Sequence, residues 1–213
     1  KIPNSTEIKP PPTSQALPSR LWFIAVPIIK APVTIAQAVS ITAAGSGAGI
    51  LTSSGTAVTI NAGAADVINL RGLILDGGKT GSTGIQFNSG AALVVQNAIV
   101  RNFTNSGIIF APTGVSKLFI TDTTLTGNVK NGALIAPTGS NTTAGMLARI
   151  TASGNGVGIF ASGSGVSLTM TDTVAGNNTY GVGATTSSAV MVRNSTFSNN
   201  TVAVAADQSA LVR

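Results

Sequence analysis

The residues able to do chemistry are few. The 213-residue chain holds six carboxylates, Glu7, Asp66, Asp76, Asp122, Asp172 and Asp207, and it has no His and no Cys. The missing imidazole removes the commonest general base and a frequent metal ligand. The missing thiols exclude disulfides and thiolate chemistry, without fixing a compartment. No two Asp lie within four residues of each other, so only the fold can bring carboxylates together. One set stands out. Asp122 and Asp172 occupy the same place in an internal repeat, two units apart, and Arg149 occupies that place in the unit between. If the units stack as strands do, the two carboxylates stand about 10 Å apart. That is the outer edge of the roughly 5–9.5 Å that glycosidase carboxylates need. A carboxylate–Arg–carboxylate face could act on a sugar chain. The same residues also fit a structural corner, where Asp bonds backbone amides and pairs with a nearby cation. The second reading is favoured, because no supporting acid, base or ligand accompanies the trio. No catalytic, cofactor-binding or metal-binding residue is therefore assigned.

The elements that position these residues come from the repeat. The unit from Ser106 to Asn128 contains three short apolar segments separated by Gly, Thr, Asn and Asp. The first segment carries two inward apolar residues one position apart. The expected pairs are Val33/Ile35, Val58/Ile60, Ile85/Phe87, Ile108/Phe110, Ala133/Ile135, Val157/Ile159, Val182/Ala184 and Val204/Ala206. Successive steps along the numbering are 25, 27, 23, 25, 24, 25 and 22 residues. Gly84, Gly107, Gly132, Gly156 and Gly181 each precede a pair, which predicts sharp corners with positive φ. A second segment follows with Ile68/Leu70, Leu93/Val95, Leu118/Ile120, Leu168/Met170 and Val190/Val192, and the coil near Met146 and Leu147 fits less well. A third carries Leu75, Val100, Leu125, Ala152 and Phe197. Polar corners follow it, at Arg101-Asn102, Gly127-Asn128, Gly154-Asn155, Asn177-Asn178 and Asn199-Asn200. Between the second and third segments Asn97, Asp122, Asp172 and Asn194 align, with Gly72 and Arg149 in the same place elsewhere. Asn and Asp tolerate left-handed backbone, so this register predicts a polar ladder at a corner, interrupted in two coils.

Three strands per unit at this period make each unit one turn of a coil, with parallel pairing between turns. The Leu and Asn pattern of leucine-rich repeats is missing, and helical periodicity with few Gly is missing too. The expected fold is all-β, a single-stranded right-handed parallel β-helix (solenoid) of about seven coils with a Pro-rich N-terminal tail. The domains expected are residues 1–32, a Pro-rich tail and an apolar cap or first strand, and residues 33–213, the helix itself. The tail carries Pro3, Pro10, Pro11, Pro12 and Pro18 and no Gly before Arg20. Leu21 to Ile29 holds the only Trp; a cap over the apolar end of a solenoid is the preferred reading, and a targeting remnant the other. The chain stops in mid-coil after Ala210-Leu211-Val212, which predicts a homo-oligomer through an uncapped C-terminal coil.

Composition narrows the partners. Charged residues are 8% of the chain and the net charge of +6 comes from 12 basic and 6 acidic residues. The basic residues of the repeats, Lys79, Arg101, Lys117, Lys130, Arg149 and Arg193, are scattered singly. A nucleic-acid footprint needs a concentrated patch, so no nucleic-acid partner is expected. No apolar run is long enough to span a bilayer. Gly77, Gly78 and Gly81 around Lys79 lack phosphate-loop spacing and read as a long turn. Thr121/Thr123 and Thr171/Thr173 suggest an ice-binding ladder, but Gln96/Ala98, Ala148/Ile150 and Arg193/Ser195 break it.

The repeat resembles the right-handed parallel β-helix of the pectate-lyase-like superfamily. More narrowly, Asp66-Val-Ile-Asn-Leu-Arg-Gly-Leu, Asn105-Ser-Gly-Ile-Ile-Phe-Ala-Pro-Thr-Gly and Leu118-Phe-Ile-Thr-Asp-Thr look like uncharacterised secreted bacterial β-helix proteins. The resemblance covers about residues 33 to 213 and implies a fold, not an activity, since this scaffold hosts lyases, hydrolases, adhesins and phage spikes. Lyases of that kind use clustered carboxylates on calcium and a basic residue. The related hydrolases use clustered Asp and a His, which this chain lacks. The function expected is a non-catalytic secreted or cell-surface module, structural or binding, with a polysaccharide or cell-surface glycan as partner and no cofactor. The alternative is a carbohydrate-active enzyme working through the Asp122/Arg149/Asp172 face.

Overall fold

The structure, a computed structural model, describes residues 20–23, 28–30, 32–43, 48–139 and 141–213. The Pro-rich segment expected as a tail lies outside the described residues up to position 19. Every element described is a strand. The strands form three sheets, here called A, B and C in the order each coil meets them. Sheet A has nine strands, and B and C have eight each. Each sheet takes every third strand of the chain, and all pairings are parallel. The result is a parallel β-solenoid of about seven turns.

One coil shows the local logic. Ser106–Phe110 lies in sheet C, Ser116–Thr121 in sheet A and Thr124–Thr126 in sheet B. Their burial alternates, as period-two strands with one face inward require. In sheet A the inner residues Ile68, Leu93 and Leu118 stack, followed by Gly145, Leu168 and Val190. Gly145 explains why its coil reads poorly in the sequence: it stands where Leu is expected. The Leu168 side chain, at 2.5 Å from where a Cβ would sit, occupies the space. In sheet B, Ile50, Leu75, Val100, Leu125, Ala152, Ala175 and Phe197 form the inner column. Arg20–Phe23 and Ile28–Ile29, ahead of Val33, already pair with sheets A and B.

Sheet C corrects the sequence reading in one coil. Ala133 and Ile135 stack on Ile159 and Ala161, not on Val157 and Ile159. Val157 instead continues the column of Asn131 and Tyr180. The steps of the repeat there are therefore 26 and 23 residues rather than 24 and 25. Gly156-Val157-Gly158-Ile159 offers two overlapping Gly-x registers, and spacing alone picks the wrong one.

The glycines of this column also work differently from expectation. Gly107 and Gly132 have ordinary negative φ. Their role is close approach. A Cβ on Gly132 would meet the Gly158 carbonyl oxygen at 2.5 Å, and one on Gly107 the Gly132 carbonyl oxygen at 2.7 Å. Inside, the core runs the length of the coil, with the Phe87 and Phe110 rings stacked 4.6 Å apart. Each large aliphatic side chain it buries contributes about 1.5–3 kcal/mol.

Candidate functional site

The corner from sheet A to sheet B holds the predicted trio. Six successive coils turn there on one residue of positive φ: Gly72 at 70°, Asn97 at 49°, Asp122 at 52°, Arg149 at 54°, Asp172 at 50° and Asn194 at 46°. The left-handed conformation suits Gly, Asn and Asp and costs a longer side chain such as Arg149 more. The corner amides continue the inter-coil ladder. Asn97 N donates to Thr121 O at 3.1 Å, Asp122 N to Ala148 O at 3.1 Å and Arg149 N to Thr171 O at 3.0 Å. The ladder at this corner is one of backbone amides, and it passes through Gly72 and Arg149 without the interruption expected of a side-chain ladder.

The trio does not converge. Arg149 turns to one side, its Nε donating to Asp122 Oδ1 at 2.6 Å and Nη2 to Oδ2 at 2.8 Å. Asp172 instead accepts from the Asn194 side-chain amide. The Arg149 hydrogen bonds, then its charge, hold the Asp122 carboxyl below the usual carboxylate range. The guanidinium is raised in turn, first by those hydrogen bonds. The side chains of Arg149 and Asp122 are 57% and 48% exposed. A carboxylate clamped by a bidentate fork in water stays ionised and is poorly placed to donate a proton.

The threonines beside it divide between two environments. Thr121 and Thr171 point outward from sheet A, half-buried. Thr123 and Thr173 are buried, and their hydroxyls donate to the carbonyls of Thr121 and Thr171 at 2.8 and 3.1 Å. Neither Thr121/Thr123 nor Thr171/Thr173 shares an outer face.

The other described carboxylates serve turns. Asp66 accepts from the Gly63 amide at 2.8 Å. Asp207 accepts from Thr186 N, Ser209 and Ala210 N, led by the Thr186 amide, and is held below the usual range. Asp76 bonds Arg101 Nε at 2.8 Å and the Asn102 side-chain amide at 3.0 Å. Its partial burial raises the carboxyl, but the Gly78 amide, Asn102 and Arg101 together outweigh this and lower it. Glu7 lies outside the described residues. Among the described residues no three of His, Cys, Asp and Glu gather as a metal site.

The second corner, from sheet B to sheet C, is where sequence reasoning understated the structure. Asn128, Asn155, Asn178 and Asn200 stack there, the first three buried. Asn128 Nδ2 donates to Asn155 Oδ1 at 3.0 Å, Asn155 Nδ2 to Asn178 Oδ1 at 3.2 Å, and Asn178 Nδ2 to Asn200 Oδ1 at 3.1 Å. Each Oδ1 also accepts a backbone N–H of the preceding coil, as Asn155 Oδ1 does from Asn128 N at 3.0 Å. The remaining Nδ2 proton reaches the preceding coil's sheet B carbonyl, as from Asn155 to Leu125 O at 3.0 Å. The available signal was position: each of these Asn follows directly on a Gly or Asn of positive φ, at Gly127, Gly154, Asn177 and Asn199.

No protein-family model matches the chain, and neither a curated protein nor a solved structure does. Among the described residues no helix is long and apolar enough to cross a membrane.

Proposed function

We propose that the protein is a non-catalytic, secreted or surface-displayed β-solenoid acting as a structural or binding module, with a glycan as its partner. Its scaffold is proposed to be right-handed and of the pectate-lyase-like kind, from a bacterial source. The observation that carries the reading is the state of the carboxylates. Each one described is bound to a turn amide, a neighbouring Asn or a neighbouring Arg, and the aligned pair Asp122 and Asp172 face different partners. Catalysis on a sugar chain needs carboxylates that converge on one bond.

The test is to incubate the purified chain, with and without calcium, with acidic and neutral polysaccharides. The reading expects binding without new reducing ends or unsaturated products. Release of either product sinks it. If products appear, Asp122→Asn with Asp172→Asn assigns them: lost activity makes that corner the active site.

A further inference from the structure

One loop from sheet C to sheet A is strained. Between Tyr180–Thr185 and Ala189–Arg193 the chain turns on Thr186 and Ser187, at φ of 57° and 58°. Among the described residues no other adjacent pair is left-handed without a Gly, and no other β-branched residue takes that conformation. A branched Cβ is crowded there, so such a turn persists only where its surroundings hold it.

A single carboxylate from the next coil holds it. Asp207 Oδ2 accepts the Thr186 N–H at 2.8 Å. Its Oδ1 accepts from Ser209 N at 2.9 Å, Ser209 Oγ at 2.7 Å and Ala210 N at 2.8 Å. Ser209 Oγ in turn accepts the Ser187 N–H at 3.0 Å. Both left-handed amides are thus tied to residues 207–210. That loop leads directly into Leu211–Val212, which pairs with the edge of Ala189–Arg193. No charged side chain contributes to the state of Asp207: the Thr186 amide first, then the Ser209 hydroxyl, lower its carboxyl. Tyr180, Arg193 and Arg213, the other titratable residues of these two coils, stand further along the strands, and residues 162–165 beneath the turn include none.

We propose that Asp207 is an acid-released latch: while ionised it holds the Thr186–Ser187 turn and residues 207–210 closed on each other, and on protonation it lets both go. The added proton occupies an oxygen that now accepts, so part of the hydrogen-bond set is lost and Thr186 is free to return to an ordinary backbone conformation. Release uncovers the backbone edge of Ala189–Arg193. Because folding lowers this carboxyl, the latch is fully engaged above the unfolded value near pH 4 and disengages as pH falls through the folded value. Asp76 and Asp122 are lowered too, so acid alone acts on several corners, and a variant at neutral pH isolates Asp207.

The experiment is amide hydrogen exchange on the full chain, read residue by residue by NMR. In Asp207→Asn at neutral pH, exchange at Thr186, Ser187, Ser209 and Ala210 should quicken about ten-fold or more, the range of a lost hydrogen bond to a charged group, while Ile108 and Leu118 keep the parent's rates. Thr186→Gly removes the strain, so adding Asp207→Asn to it should quicken the same amides by less than about three-fold. In the parent, taking the pH from about 7 to about 3, with the intrinsic pH dependence of exchange removed, should open these four amides before Ile108 and Leu118. Should Asp207→Asn not fold, Ser209→Ala, an exposed change that removes the acceptor of the Ser187 N–H, carries the test at Ser187. Unchanged exchange at the four amides in Asp207→Asn overturns the latch. An equal effect in the Thr186→Gly background, or acid opening of all coils at one pH, overturns it as well.

Discussion

Two corners of the solenoid draw on Asn and its close relatives and do opposite things. At the sheet A to sheet B corner, Asn97, Asp122, Asp172 and Asn194 turn the backbone with their side chains exposed. At the sheet B to sheet C corner, Asn128, Asn155 and Asn178 direct theirs inward and are buried. The outer corner needs a backbone conformation, so Gly72 and even Arg149 serve there. The inner corner needs an amide that accepts two N–H groups and donates two protons at once, which among side chains Asn does at this length. The first fully described coils omit it: Phe103 occupies the equivalent inner place, and its backbone N–H caps the ladder on Asn128 Oδ1 at 3.2 Å. Along the coils that carry the ladder the side chains of one inner column of sheet C become smaller, from Phe87 and Phe110 to Ala161 and Ala184. A polar inner corner is sustained there because it is fully bonded.

The sharpest way to break this contrast is at the inner corner. Asn155→Ala leaves the Asn128 N–H and one Asn128 Nδ2 proton buried and unbonded, and it removes the amide that donates to the Leu125 carbonyl and to Asn178 Oδ1. At about 1–3 kcal/mol for each such group, partly relieved by relaxation, the loss should be on the order of 3–5 kcal/mol, measured by denaturant unfolding. Asn200→Ala, half-buried at the ladder's last rung, should cost clearly less. The next largest effect belongs to Gly132→Ala. Its new methyl meets a carbonyl oxygen of the following coil, so a cost of about 1–3 kcal/mol is expected, the range of overpacking.

The outer corner should respond weakly. Arg149→Asn removes an exposed ion pair and relieves a left-handed Arg, two small effects of opposite sign, so its unfolding midpoint should stay near that of the parent. Smallest is the acid limb. Asp76 has its carboxyl lowered in the folded state, so its contribution is fully present above the unfolded value near pH 4 and fades as pH falls through the folded value. Asp76→Asn should therefore lose stability at neutral pH and show a shallower decline below about pH 4, in unfolding curves measured across pH.

What the sequence makes legible follows from what repeats. The three strands per coil, the inner columns of sheets A and B and the corner register of Asp122 all recur at a steady period, so alignment of the chain with itself finds them. The places it misreads are where one coil departs from that period. Gly145 supplies no side chain, so the inner column is completed by Leu168 from the next coil, a contact no local pattern records. Val157 and Ile159 compete for one register, and only the stacking of Ile159 on Ala133 decides between them. The depth of the Asn ladder was hidden for a different reason. An Asn beside a Gly reads the same whether its side chain faces water or the core, and only the third dimension separates Asn155 from Asp122.

The contrast between the corners is tested most directly by the unfolding temperatures of Asn155→Ala and Asp122→Asn measured side by side. A loss of 1 kcal/mol lowers the midpoint of a chain this size by about 2–4 °C. The account predicts a fall on the order of 10 °C for Asn155→Ala, and a change within about 2 °C for Asp122→Asn, whose new side chain also tolerates the left-handed turn. Equal falls, or a larger fall for Asp122→Asn, would contradict it.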